Sequence, residues 1–327
     1  MLRTLKTKWR IKPLYLRVVA SVFVLFLITR FVDVRTISDM IQSTNPFYIV
    51  VVLLFITLDR IVMAAKWNVL LRARGVVIPT RDLIRTYYIS NFVGFFLPAT
   101  VGVDGMRLWH LSKHRSNLSK IAASIVIERL FGLIVLSLFA FPAILLSMFF
   151  VDADLSRIVW LNLFVLIALS GAFALSISRF GHSLFRSRLV FLTDKSWFKK
   201  LQEFYESYRE YRQSARGLVI FSLMTVAELT IPILANYYVA VALNIRISFL
   251  YFVGIIPIIL FLSRIPLPFD VIGVQEGLYV VMFSLVGVGT SQAFSMGLLQ
   301  HLLVLVGMLP GCVFYLMEPI KAKKVPV

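Results

Sequence analysis

Long apolar runs divide the chain, and their lengths set the first expectation. A membrane-crossing helix needs about 20 mostly apolar residues. Six runs meet that need: 14–32, 47–65, 120–150, 158–177, 218–243 and 293–317. Two further runs, 86–97 and 249–263, are shorter. At about 1.5 Å per residue neither crosses a hydrocarbon core of about 30 Å. The first ends at Pro98 and a glycine turn, the second at Pro266, Pro268 and another glycine turn. Each run reads as one arm of a re-entrant helical hairpin, a shape tolerated at that depth where protein or a wet cavity surrounds it. The expected fold is an all-α polytopic membrane protein with six full spans and two re-entrant hairpins. Eight or nine ordinary spans are the alternative.

Composition and charge sharpen this picture. The 327 residues are 59% hydrophobic and 15% charged, with mean hydropathy +0.87. Soluble domains carry about 25% charged residues. The net charge of +18 comes from cations placed between apolar runs, not from a nucleic-acid-binding face. Segments 1–17, 66–85, 107–120, 179–216 and 321–324 hold about 27 of the 34 Lys and Arg, which places them and both termini on the cytoplasmic side of a cell inner membrane. Within 194–216, Phe204, Tyr205, Tyr208 and Tyr211 recur at helical spacing among basic residues, as in an amphipathic helix on an anionic leaflet or in a plain loop between spans. One cysteine, Cys312, and four scattered histidines offer neither a disulfide framework nor metal-ligand spacing. The residues suggest no cofactor, and the absence of a nucleophile–base pair, Walker loop or dinucleotide fingerprint argues against an enzyme.

The two halves answer each other in register. Leu97-Pro98 with Gly102, Asp104 and Gly105 corresponds to Leu267-Pro268 with Gly273, Glu276 and Gly277. Asp59 precedes the first motif as Glu228 precedes the second, Glu128-Arg129 follows the first as Gln300-His301 follows the second, and Ile78 answers Ile247. The charge-derived topology runs the equivalent spans in opposite directions. The single transmembrane domain (1–327) therefore divides into repeats 14–150 and 158–317, related by inversion as in many secondary transporters.

Ionisable groups at bilayer depth are costly and normally face a partner or a wet cavity. Asp59, Arg60, Glu128, Arg129, Glu228, Arg264, Asp270 and Glu276 are such groups, and Asp59, Arg60, Glu128, Arg129, Glu228 and Arg264 are the candidates for charge or proton coupling, with structural ion pairs as the alternative for the Asp59-Arg60 and Glu128-Arg129 pairs. Glu228 lies near mid-span, and either pairs with Arg60, Arg129 or Arg264 or stays protonated. The returning arm of each hairpin is expected to begin near Asp104–Gly105 or Glu276–Gly277, where free backbone N–H groups favour an anion. Gly102, Asp104, Gly105, Arg107, Gly273, Glu276 and Gly277 are the candidate head-group contacts. Asp104 and Glu276 are equally suited to capping their own helices, and Arg107 to anchoring the cytoplasmic side.

At these motifs the chain resembles a known family. The segment Asn91 to Pro98 (Asn-Phe-Val-Gly-Phe-Phe-Leu-Pro) with Gly102, Asp104 and Arg107 looks like its first signature. Leu267-Pro268 with Gly273, Val274, Glu276 and Gly277 looks like its second. Val103 separates Gly102 from Asp104 where the family adjoins them, and Val271-Ile272 stands where it often has another glycine. The family is that of the lysylphosphatidylglycerol synthase transmembrane domain, or flippase-like membrane proteins, and the resemblance covers roughly 10–320. It implies a lipid-translocating domain, here without the aminoacyl-transferase domain. The expected function is a flippase or carrier that moves an anionic phospholipid or polyprenyl-phosphate-linked lipid between leaflets. The alternatives are an accessory subunit partnering a lipid-modifying or polyprenyl-phosphate glycosyltransferase enzyme, and a membrane-embedded transferase.

Overall fold

The computed structural model describes residues 44–95, 99–112, 117–149, 154–178, 196–264 and 273–317. The run 14–32, the turn residues Leu97, Pro98, Leu267, Pro268 and Asp270, and both termini lie outside them. The described chain is helical: α1 (Pro46–Arg72), α2 (Thr80–Phe95), α3 (Ala99–Ser112), α4 (Leu118–Ser147), α5 (Ser156–Ile177), α6 (Ser196–Arg209), a 3₁₀ turn (Glu210–Gln213), α7 (Ala215–Ala242), α8 (Phe249–Ser263), α9 (Val274–Ser284) and α10 (Thr290–Leu316). Five of these, α1, α4, α5, α7 and α10, are long and apolar enough to cross a bilayer. Helices α2, α3, α8 and α9 have 16, 14, 15 and 11 residues. At about 1.5 Å per residue the longest reaches about 24 Å, short of a ~30 Å core. The chain is an all-α polytopic membrane protein.

Local chemistry sets the helix ends. Asn45 starts α1 by accepting from the Phe47 N–H at 3.0 Å, with Pro46 in the first turn. Ser248 starts α8 through the Leu250 N–H at 3.3 Å. Spans α1 and α7 stop in the same way. Each ends in a left-handed residue, Gly75 (φ 70°) and Asn244 (φ 57°), the two residue types that adopt this conformation most readily. One residue later the chain turns back, with Val76 N–H bonding Leu71 O at 3.0 Å and Ile245 N–H bonding Ala240 O at 2.9 Å. Both left-handed residues stand three positions before the isoleucines, Ile78 and Ile247, that the halves share.

Packing is reciprocal between halves. Helices α1 and α7 run against each other at the centre. The first short helix, α2, lies on the last span, α10, while the third, α8, lies on α4. The main core joins Val52 and Ile56 of α1, Val239 of α7, Phe252 and Ile256 of α8, Tyr279 and Phe283 of α9 and Met296 of α10. A second cluster packs Trp67, Leu83, Tyr87 and Ile121. Helix α5 turns Trp160, Phe164 and Ile167 outward, each about 70% exposed. Such a stripe suits lipid contact and would be a liability in water.

The segment at 194–216 departs from its expected setting. Phe204, Tyr208 and Tyr211 face the bundle. Tyr208 and Tyr211 are buried with Leu70, Ile127 and Phe221, and Phe204 packs on the same cluster. Tyr208 and Ser176 share a hydrogen bond of 2.7 Å, and Tyr211 donates to Leu70 O at 2.9 Å. Burial pushes the Tyr211 phenol above its ordinary range, so it stays a neutral donor at any physiological pH. The aromatic periodicity thus records a face packed on protein.

Candidate functional site

Ionisable residues from five helices meet inside the bundle. On α1, Asp59 and Lys66 are two turns apart and share a face, while Arg60 lies beside Asp59 at 3.7 Å. Arg60 also donates to Asn91 Oδ1 of α2 at 3.4 Å. Across the central contact, Lys66 forms an ion pair with Glu228 of α7. Both are buried.

A second network lies alongside. Arg107 of α3 pairs with Glu128 of α4, which also accepts from the Tyr87 hydroxyl of α2. The Arg107 guanidinium sits between the Trp67 and Tyr87 rings, at 3.9 and 4.4 Å from their centroids. Arg129 grips Asp104 with two bonds of 2.8 and 3.0 Å, and Arg107 reaches the same carboxylate at 3.3 Å. Paired planar groups of this kind hold geometry well.

The second hairpin carries its own version of the Asp104–Arg129 contact. Glu276 of α9 meets His301 of α10 at 3.0 Å. In each half the two partners are 25 residues apart, which is 129 − 104 and 301 − 276. Glu276 also accepts from the Gly273 N–H at 2.6 Å, which satisfies one free donor at the start of α9.

The first hairpin begins earlier than its sequence suggests. Helix α3 starts at Ala99, so Asp104 and Gly105 lie inside it and not in its first turn. The free N–H groups expected there belong to residues nearer 99. Asp104, Arg107 and Glu276 all spend their charge on internal partners. Gly105 and Gly277, at equivalent positions, still have open space where a side chain would go.

Asp59, Arg60, Glu228 and Arg264 do come together. They line a cavity of about 250 Å³ between α1, α7, α8, α9 and α10, with Asn236, Ser263, Gln275 and Gln300 supplying neutral polar groups. Apolar walls from Ile56, Leu136, Ile256 and Val304 complete it. None of the head-group candidates of either hairpin lines this space, although Gln275 and Tyr279 bring α9 to it. Glu128 and Arg129 belong to the neighbouring network. Sequence reading missed Lys66, placed in a loop because the apolar run stops at Ala65. The signal was present: Trp67, Leu70 and Leu71 continue the helical pattern past it, and all are buried. No cluster of three metal-ligating side chains occurs among the described residues.

Comparison with known proteins places the sequence. Residues 14–311 match the model of the lysylphosphatidylglycerol synthase TM region. The chain belongs to that family. A UPF0104 membrane protein of Pyrococcus horikoshii is 23% identical over 288 residues, covering 82% of this chain and 86% of that one. The match spans both halves, so the central charged cavity and both hairpins fall within family territory. A multi-pass membrane location follows from the family and the apolar helices together.

Proposed function

We propose that this member of the family moves an anionic lipid head group across the membrane through the cavity between α1, α7 and α8, while the acyl or prenyl tails stay in the bilayer. The observation that carries this reading is the cavity itself: a polar space at mid-span depth, lined by Asp59, Arg60, Glu228 and Arg264 within an otherwise apolar bundle. Charged groups kept at that depth mark pathways for polar cargo. The reading places both termini in the cytoplasm of a cell whose inner membrane holds the protein, and assigns it transport without covalent change to the lipid.

The inverted repeat supplies the moving parts. Reciprocal packing of α2 on α10 and α8 on α4, matched left-handed span ends, and the equally spaced Asp104–Arg129 and Glu276–His301 contacts all support two equivalent units. Rocking of one unit against the other would open the cavity to each leaflet in turn. Asp59 and Glu228, at corresponding positions, bias the two states by exchanging cationic partners, and proton uptake is one way to drive that exchange.

A leaflet-exchange assay tests the reading. Purified protein is placed in liposomes with labelled phosphatidylglycerol or a polyprenyl phosphate, and a membrane-impermeant reagent reports transfer. Protein-dependent exchange is expected, falling at least about tenfold in Glu228→Gln, the loss of one buried charge pair. Glu228→Ala is expected to behave alike, provided both variants keep the wild-type elution profile. Wild-type rates in both variants would defeat the mechanism. No exchange of any anionic lipid by the wild type, with and without a proton gradient, would favour an accessory subunit of a lipid-modifying enzyme.

A further inference from the structure

Charge pairing around the cavity leaves one cation over. Lys66 is held by Glu228, Arg60 by Asp59, Arg107 by Glu128, and Arg129 by Asp104. Arg264, at the end of α8, has no carboxylate within ion-pair distance among the described residues, and its side chain is open to the cavity. An arginine does not give up its proton. At this depth its charge therefore calls for an anion, and among the described residues the only carboxylates lining the cavity are Asp59 and Glu228. Glu228 and Asp59, the nearest acidic groups lining the space, already have cations of their own.

A second vacancy lies across the same space. Gln300 of α10 is buried, yet its Oε1 has no hydrogen-bond partner. A buried polar atom left unpaired costs free energy unless something reaches it. Gln300 lines the cavity together with Arg264. Arg264 and Gln300 thus line one volume of about 250 Å³, equivalent to about eight water molecules at ~30 Å³ each, with the unpaired Gln300 Oε1 buried in its wall.

We propose that Arg264 sets the charge selectivity of the site by binding the single negative charge of a lipid phosphodiester, and that Gln300 accepts a hydrogen bond from a hydroxyl on the same head group. This rests on the cavity being the lipid pathway and names the chemistry of its cargo. One unpaired cation is neutralised by one negative charge. A phosphomonoester or diphosphate brings a second that finds no free partner, and a zwitterionic head group brings a cation that Arg264 repels. Those head groups are disfavoured for opposite reasons.

The test separates binding from transport. Full-length protein in detergent is titrated with four soluble short-chain lipids: phosphatidylglycerol, phosphatidylmethanol, phosphatidylcholine and phosphatidic acid. Bound lipid is counted by native mass spectrometry. Phosphatidylmethanol has the same diester charge as phosphatidylglycerol but no head-group hydroxyl. Wild type is expected to prefer phosphatidylglycerol over phosphatidylcholine by about ten- to a hundredfold, the worth of one charge-assisted contact. Arg264→Gln should collapse that ratio towards one, and Arg264→Lys should keep most of it. Gln300→Met should remove an about fivefold preference for phosphatidylglycerol over phosphatidylmethanol and leave the charge preference standing. An unchanged phosphatidylglycerol to phosphatidylcholine ratio in Arg264→Gln overturns the assignment, as does tighter binding of phosphatidic acid than of either diester. Selective binding by a protein that exchanges no lipid would remove the transport reading and keep this one. Exchange that keeps its head-group preference in Arg264→Gln would do the reverse.

Discussion

Glu128→Ala should destabilise the protein by about 3–5 kcal/mol, the usual consequence of removing one partner from a buried ion pair. Arg107 would remain, 2% exposed between Trp67 and Tyr87, with its main counter-charge gone. Its guanidinium keeps its proton, so the charge has no chemical escape. The converse variant, Arg107→Leu, should cost less, because Glu128 can take up a proton and keep its bond with the Tyr87 hydroxyl. Replacing both by leucine should recover much of the loss, since well-packed apolar groups often substitute for a buried pair at little cost. Unfolding in graded detergent denaturant, compared across the three variants, gives the order directly. Equal losses in the two single variants would refute the asymmetry, and a loss below about 1 kcal/mol in Glu128→Ala would mean that the pair behaves as a surface one.

The second large effect is steric. At Gly311 of α10 an added methyl would overlap the Tyr88 carbonyl oxygen of α2, with the Tyr88 carbonyl carbon at 2.7 Å and Phe92 Cβ at 2.8 Å. Two of these three atoms are backbone, so no rotamer change relieves the overlap. The helices must part, and tightly packed interfaces resist even small added volumes. Small residues at membrane helix contacts allow this close approach. Gly311→Ala is expected to lower stability by about 1–3 kcal/mol or more and Gly311→Leu to prevent the α2–α10 contact from forming. A cysteine pair placed across that contact would report it, with cross-linking lost in Gly311→Leu. Full cross-linking there would show that the contact tolerates a side chain. Gly105→Ala is the control, since a methyl there meets open space.

The sequence was most informative where periodicity or burial cost left a mark. Span positions followed from apolar run length, and Asp59, Glu228 and Arg264 stood out as charges within those runs. The matched spacing of the two hairpins placed Asp104 opposite Glu276 and Arg129 opposite His301 before any contact was known, and both pairs form. What escaped was partner choice. Lys66 looked like a loop cation because hydropathy records the end of an apolar run and not the end of a helix. Only the approach of α7 makes it a buried partner for Glu228. The start of α3 was placed late for a related reason: an aspartate followed by glycine resembles a helix start, yet Asp104 sits inside α3, held by Arg129. The aromatic stripe around Tyr208 was legible as one helical face. Whether such a face meets lipid or protein depends on neighbours far away in sequence.

The exchange of partners between halves also bears on how the chain is made. Helix α2 reaches its docking surface only when α10 exists, and the bond from Arg85 to the Phe314 carbonyl joins residues 229 positions apart. At ~5–20 residues per second, translation leaves the first hairpin waiting roughly 10–45 s for that surface. During that interval Arg107 and Glu128 can already meet, because both emerge early, whereas Lys66 must wait for Glu228. The nascent first half therefore enters the membrane with its own three charge pairs able to close and one lysine unmatched. Lys66 is the group whose burial waits on the second half.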